Sequence, residues 1–239
     1  MDIYGIQKIG ELLDGNTYPG RGIIIGKTAD GKKAATAYFI MGRSANSRNR
    51  IFTEKNGEVF TEPFDASKVE DPSLIIYAAL RTFENNLIVT NGDQTDTIYD
   101  GLKNGLTFGC ALKSREFEPD KPNFTPRISG MLTFADGDFT YSMNILKSID
   151  ENGSACARYN FDYPAVNGLG HFLHTYVCDG NPIPTFQGEP ERVKISDDID
   201  VFTEKLWNAL DADNKISLYV RYIDLATGDT ENRLINKNK

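Results

Sequence analysis

The sequence predicts an α+β protein whose antiparallel sheets are covered by helices, and three observations carry that expectation. Short β-branched and aromatic runs repeatedly flank tight-turn signals, as in "RGIIIGKT", "ADGK" and "KAATAYFIMG". Helical spacing is confined to a few segments between those hairpins. No sustained strand–helix–strand alternation of the kind that builds parallel sheets runs along the 239 residues.

In chain order, residues 3–13 read as a short helix, with Ile6, Ile9 and Leu13 at three- and four-residue spacing and Asn16 closing it. Residues 21–42 read as a hairpin, with Arg21 at its entry and Arg43 just beyond its exit. Residues 44–73 are rich in Ser, Asn, Asp, Glu and Pro and read mostly as loop, with short strands at Arg50–Phe52 and Val59–Phe60. "SLIIYAALRTFENNLIVTNG" fits a helix through Ile75, Ile76, Ala79, Leu80 and Phe83. A hairpin turning at Asn85-Asn86 is preferred, because Asn tolerates the positive φ of a tight turn.

"DQTDTIYDGLKNG" opens with capping residues and reads as a helix, with a second over 106–116. "PRISGMLTF" and "DFTYSMNIL" flank "ADGD" as a hairpin, and "ACARYNFD" and "GHFLHTYVCD" are expected to extend the same sheet system. "SDDIDVFTEKLWNAL" is an amphipathic helix with Val201, Leu206 and Leu210 inward, and the chain ends in a hairpin around "ATGD". No repeat, low-complexity tract or linker divides residues 1–239, so one domain is expected.

Lys and Arg total 26 against 34 Asp and Glu, a formal charge of −8, which argues against a general binder of nucleic acid or anionic membrane. Any anionic ligand must be met by a local patch. Cys110, Cys156 and Cys178 are odd in number and lack CxxC spacing, which disfavours a disulfide framework or zinc site and makes a reduced cytoplasm the expected setting. Only His171 and His174 are available as imidazoles, without HExxH, so no metal is expected. Three residues apart on a strand, they face opposite ways, one exposed and one packed. No segment reaches the eighteen apolar residues of a membrane span, and the first residues lack a basic flank followed by an apolar run.

Three constellations could carry chemistry. Lys27, Lys32, Lys33, Arg21, Arg43, Arg48 and Arg50 crowd residues 18–50, yet the glycines there fit neither GxGxxG nor a P-loop, and "GKT" ends a strand instead of opening a helix. The arginines are the better candidates, since a guanidinium fork holds phosphate bidentately; a solvated hairpin edge is the alternative. "TNGDQTD", residues 90–96, sits at a strand-to-helix junction suited to a polar or anionic ligand, and ordinary capping explains it equally well. "REFEPDKPNFTPRI", residues 115–128, delivers Glu116, Glu118 and Arg127 from a proline-punctuated loop.

Taken together, "YPGRGIIIGKTADGK", "GRSANSRNR", "VTNGDQTD" and "FTPRISGML" resemble the archaeal-type IMP cyclohydrolase family, over about residues 18–135 with a weaker trace in "CDGNPIPTFQGE". The resemblance implies a four-layer αββα sandwich like that of the N-terminal nucleophile hydrolases, though without a Ser, Thr or Cys at the chain start, and makes residues 1–17 an N-terminal extension. It implies closure of 5-formamidoimidazole-4-carboxamide ribonucleotide (FAICAR) to inosine monophosphate and water, without folate, cofactor or metal. It implies Arg21, Tyr77 and Glu118 as catalytic residues, with Glu116 the rival of Glu118. Residue type and motif position add Arg43, Arg48 and Arg127 for the phosphate, assisted by Ser44 and Asn46, and Asn91, Thr95 and Asp96 for base or ribose. A homo-oligomer is the family's implication for assembly. A formamide hydrolase on the same scaffold and a nucleotide binder without turnover are the competing expectations; a pure binder has no use for a proton shuttle.

Overall fold

The computed structural model describes residues 4–69 and 76–238. Two antiparallel sheets and a few helices make up the described chain. Sheet A contains β1 (Arg21–Lys27), β2 (Lys33–Met41), β10 (Leu169–His174), β11 (Glu191–Lys194), β12 (Lys215–Asp224) and β13 (Thr230–Asn236), in the order β11-β10-β1-β2-β12-β13. Sheet B runs β3 (Ile51–Lys55), β4 (Glu58–Glu62), β5 (Tyr77–Phe83), β6 (Asn86–Thr90), β7 (Arg127–Ala135), β8 (Asp138–Ser148) and β9 (Cys156–Pro164), each beside its sequence neighbour.

Period-two alternation assigns the faces. Ile23, Ile25, Tyr38 and Ile40 of sheet A meet Ala79, Leu87, Val89, Leu132, Met143 and Ile145 of sheet B in one buried cluster between the sheets. Ile24, Phe39 and Val220 point the other way and pack on Ile9 of α1 (Ile9–Leu12) and on Phe202 and Leu206 of α5 (Ile199–Ala209). On the far side of sheet B, Ile88, Met131 and Leu146 meet Ile98 of α3 (Gln94–Lys103) and Phe108 of α4 (Phe108–Ala111). Each fully buried Ile or Leu contributes about 1.5–3 kcal/mol, so both faces of both sheets are held by apolar burial.

The hairpins at 21–42, 77–90, 127–148 and 215–236 form as the turn chemistry predicts. Several other expectations are corrected. The first helix is a single turn, Ile9–Leu12, with Ile6 half exposed, and residue 3 lies outside the described residues. The segment read as loop holds α2 (Ala45–Arg48) and the β3–β4 hairpin, whose turn residues Asn56 and Gly57 are both left-handed. The remainder of that segment, 70–73, lies outside the described residues, as does Ile75 of the rejected helix. In the β5–β6 turn the positive φ falls on Glu84. The helix expected over 106–116 is α4 followed by a 3₁₀ turn at Leu112–Ser114.

Two misreadings share a cause: residue pattern marks a strand but not its sheet. β9 pairs with β8, whereas β10 crosses to sheet A and pairs with β1. Both faces of β10 are therefore covered, and both histidines are buried, on opposite faces. His171 meets the Tyr141 hydroxyl at 2.6 Å, and His174 stacks on Phe172. Burial, with the nearby Arg192 charge, pushes the His171 pKa down to about 4. On α5 Val201 is exposed and Phe202 takes the inward position, in step with Ile199 and Leu206. No described helix is long and apolar enough to cross a membrane.

Candidate active site

The space between the sheets opens where β1, β3 and β7 begin and β2 and β10 end. A cleft of about 350 Å³ lies there. Arg21, Arg50 and Glu118 form its buried part, Tyr18, Thr125 and Tyr176 line a wall, and Arg43, Ser44 and Asn46 stand at the rim.

Arg21 is the first residue of β1, and its parity with Ile23 and Ile25 aims its side chain between the sheets. Its backbone is tied to the residue after β10: the Arg21 N–H donates to Thr175 Oγ1 at 3.1 Å, and the Thr175 N–H donates to the Arg21 carbonyl at 3.0 Å. Gly20 permits this approach, with φ +81° and room for no side chain. A Cβ there would lie 2.1 Å from Thr175 Oγ1 and 2.6 Å from the Tyr176 ring. Gly20→Ala is therefore expected to lower stability by roughly 2–4 kcal/mol, from left-handed strain plus overpacking, measured as a fall in Tm.

The buried charges are incompletely paired. Nε of Arg21 and Nε of Arg50 are buried without a hydrogen-bond partner, and neither guanidinium makes an ion pair with a described residue. The Glu118 carboxylate likewise accepts no hydrogen bond from a described residue, although its backbone N–H donates to the Thr125 carbonyl at 2.9 Å. Leaving buried donors unmade costs about 1–3 kcal/mol each, so a ligand group that accepts from Arg21 or Arg50 would recover part of that cost. Burial opposes the Arg21 charge, but Glu118 and the hydroxyls of Tyr18, Tyr176 and Tyr77 outweigh it and hold the guanidinium pKa above its ordinary value. Arg50 is pushed down by burial and then by Arg21. Burial pushes the Glu118 carboxyl up, with Arg21, Arg127 and Arg50 pulling against it and Asp120 adding to it.

Tyr77, the first residue of β5, is buried, and its hydroxyl bonds that of Tyr38 at 2.8 Å. Burial and then the Tyr77 contact push the Tyr38 pKa well above its usual value, so the Tyr38 phenol stays protonated. In the wall, Thr125 Oγ1 donates to Asp120 and shares a hydrogen with the Tyr176 hydroxyl, and Tyr176 stacks on Tyr18. At the rim Arg43 bonds the Asp179 carboxylate and donates to the Gly180 carbonyl at 2.8 Å, with its guanidinium 5.1 Å from the Tyr18 ring. Ser44 caps α2 and exchanges hydrogen bonds with Ser47, and Asn46 Oδ1 is buried without a partner.

Other predicted residues do not reach the cleft. Arg48 turns away to the Gly42 carbonyl and Asn214 Oδ1, both at 3.0 Å. Ile128 and Leu132 face between the sheets, so Arg127, of opposite parity, lies on the outer side and bonds Asp93 at 2.7 Å and Gln94 at 2.9 Å. The same outer side holds the start of α3. Asn91 Oδ1 accepts from the Ile128 N–H at 2.9 Å, Thr95 Oγ1 meets Thr90 Oγ1 at 2.6 Å, and Asp96 pairs with Arg81 at 2.7 Å. These are structural contacts, and none of Asn91, Thr95 and Asp96 lines the cleft. Glu116 is exposed, near Arg158. Tyr18, Asp120, Thr125 and Tyr176 were absent from the predicted site, and Arg50, counted among the candidate arginines, was assigned no role. Their only sequence signal is position: Arg50 ends the "GRSANSRNR" stretch, and Thr125 sits in "FTPR".

Buried cations with open hydrogen-bonding capacity beside a buried carboxyl make an acid–base site for an anionic, carbonyl-bearing ligand. The family model described as IMP cyclohydrolase-like protein matches residues 18–229, and the chain belongs to that family. An IMP cyclohydrolase of Methanococcus aeolicus is 30% identical over 165 residues, 67% of this chain and 75% of its own length. Those of Methanopyrus kandleri and Methanocaldococcus jannaschii are 35% and 30% identical over 116 residues each, 47% and 48% of this chain and 57% and 56% of their own lengths. In these two cases the chain spans little more than half of the relative.

Proposed function

We propose that this chain is an IMP cyclohydrolase, closing FAICAR to inosine monophosphate and water. The observation that carries the reading is the set of buried charges in one cleft, Arg21 and Arg50, each with a partnerless Nε, beside the Glu118 carboxyl, with Arg43 at the mouth. Ring closure needs no protein nucleophile, because the carboxamide nitrogen attacks the formyl carbon of the same molecule. Well-oriented intramolecular reactions reach effective molarities of roughly 10⁵–10⁸ M. As the C–N bond forms, the formyl oxygen gains negative charge, which Arg21 stabilises with Tyr77 beside it. Glu118 takes one proton from the attacking amide nitrogen and gives it to the formyl oxygen, making the hydroxyl; a second ring N–H proton, passed to that hydroxyl by the same carboxyl, releases it as water as the C=N bond forms.

Arg43 receives the 5′-phosphate, helped by Ser44 and Asn46, and releases Asp179. Arg43→Ala is expected to raise KM about 10- to 100-fold with kcat little changed, the loss of one charge-assisted contact. Arg48→Ala, outside the cleft, leaves KM within about threefold. Steady-state kinetics on both variants separates the two arginines. Helices over sheet, sheet over sheet, and helices again support kinship with the N-terminal nucleophile hydrolase fold, and the reading takes residues 1–239 as one catalytic unit in the cytoplasm.

The direct test adds FAICAR to the purified protein without folate or added metal and follows the purine absorbance of ring closure. Release of formate instead would assign a deformylating hydrolase. Nucleotide binding without either product would reduce the protein to a binder.

A further inference from the structure

Four strand edges bound the two sheets, and three of them are engaged. Gln7 bridges the outer side of β11, its N–H donating to the Arg192 carbonyl at 3.0 Å and its carbonyl accepting from the Lys194 N–H at 2.8 Å. At the opposite side β3 and β13 are fastened by Asn236, which accepts from the Phe52 N–H at 2.8 Å and donates to the Phe52 carbonyl at 2.9 Å. β9 is different. It pairs with β8 in unbroken register from Cys156 to Pro164, and no backbone group of another described segment bonds its other side.

Protein surfaces usually blunt such an edge with a lysine, a bulge, an internal proline or a short strand. β9 has nine residues, no bulge, no lysine and proline only at its last position. Its sequence, "CARYNFDYP", carries opposite charges placed symmetrically about Asn160: Arg158 two residues before and Asp162 two after. All three have the same parity and are exposed.

We infer that the free edge of β9 pairs antiparallel with β9 of a second copy of this chain, about a two-fold axis through Asn160. That register sets Arg158 opposite the second copy's Asp162 twice over, and Tyr159 opposite Phe161 on the other face. Tyr159 is half exposed and Phe161 partly so, apolar surface that the pairing would cover. Asp162 accepts from Ser142 through Oδ1 only, which leaves Oδ2 for the contact. Arg158 already donates to the Cys156, Lys113 and Arg115 carbonyls and stands 3.8 Å from Glu116, so the pairing would draw it away from these partners on its own chain. The two seven-stranded sheets would then run on as one.

A charge-swap series read by light scattering on an eluting protein tests the register. Arg158→Asp and Asp162→Arg, each alone, place like charges opposite one another and should halve the wild-type mass or raise its dissociation constant at least about tenfold. Arg158→Asp combined with Asp162→Arg restores the opposite-charge pairs and should restore the assembly. Should a single reversal fail to fold, Tyr159→Lys, at an exposed position, should also weaken association. A wild-type protein that weighs as a monomer throughout, an assembly indifferent to both single reversals and to Tyr159→Lys, or a double variant no better than the singles would each overturn the inference.

Discussion

Glu118→Gln is expected to lower kcat by about 10²- to 10⁴-fold, the usual worth of a positioned general acid–base, while nucleotide still binds. The amide keeps the shape of the carboxyl but cannot carry the proton from the attacking nitrogen to the departing hydroxyl. The pH profile supplies an independent readout. Because burial raises the Glu118 pKa, the acid limb of kcat/KM should sit above the ordinary carboxylate value of about 4.3, and it should be missing from the residual activity of the variant. The linkage to stability has a definite sign. A carboxyl whose folded pKa is raised favours folding most below its unfolded pKa, and that contribution is lost as pH rises to the folded value. Above that window the ionised group opposes folding, so Glu118→Gln should have a Tm at pH 7 no lower than wild type. A kcat within a few-fold of wild type would remove Glu118 from the mechanism.

Arg21→Ala should cost about 10²- to 10³-fold in kcat, as expected for losing one donor to a developing oxyanion in a water-poor site. Arg21→Lys should recover little, since an ammonium on a flexible stem cannot reproduce a planar fork of donors held by a strand end. Single-turnover rates with saturating substrate separate this loss from weakened binding. If the alanine variant instead showed a raised KM with kcat unchanged, Arg21 would be a binding residue and the stabilising group would have to be Arg50.

The hairpins of β1–β2 and β7–β8 were legible because Asp-Gly and Gly turns sit between alternating runs, a local signal that owes nothing to the rest of the chain. The placement of β10 was not, because its pairing with β1 joins residues about 150 apart in sequence, and nothing in "GHFLHTYVCD" names its partner. The site divides the same way. Arg21 and Glu118 were carried by the family resemblance and the rim group Arg43, Ser44 and Asn46 by residue type and motif position, and the fold brings them to one cleft. Tyr176 was missed, and Arg50 stayed a candidate without a role, because only the third dimension puts them beside Arg21. Arg127 was misplaced although a clue was present: in "PRISGMLTF" the inward residues are Ile128 and Leu132, and strand parity sends their neighbour outward.

The bridge from Arg43 to Asp179 gives the cleft mouth a counter-ion of its own. On the proposed reading, in which Arg43 receives the phosphate, nucleotide capture would be an exchange of anions. A monoanion arriving at Arg43 would only replace a carboxylate of equal charge, whereas a phosphate monoester dianion would bring a second charge to the same guanidinium, so the bridge would act as a valence filter favouring nucleoside monophosphates over singly charged analogues of the same shape.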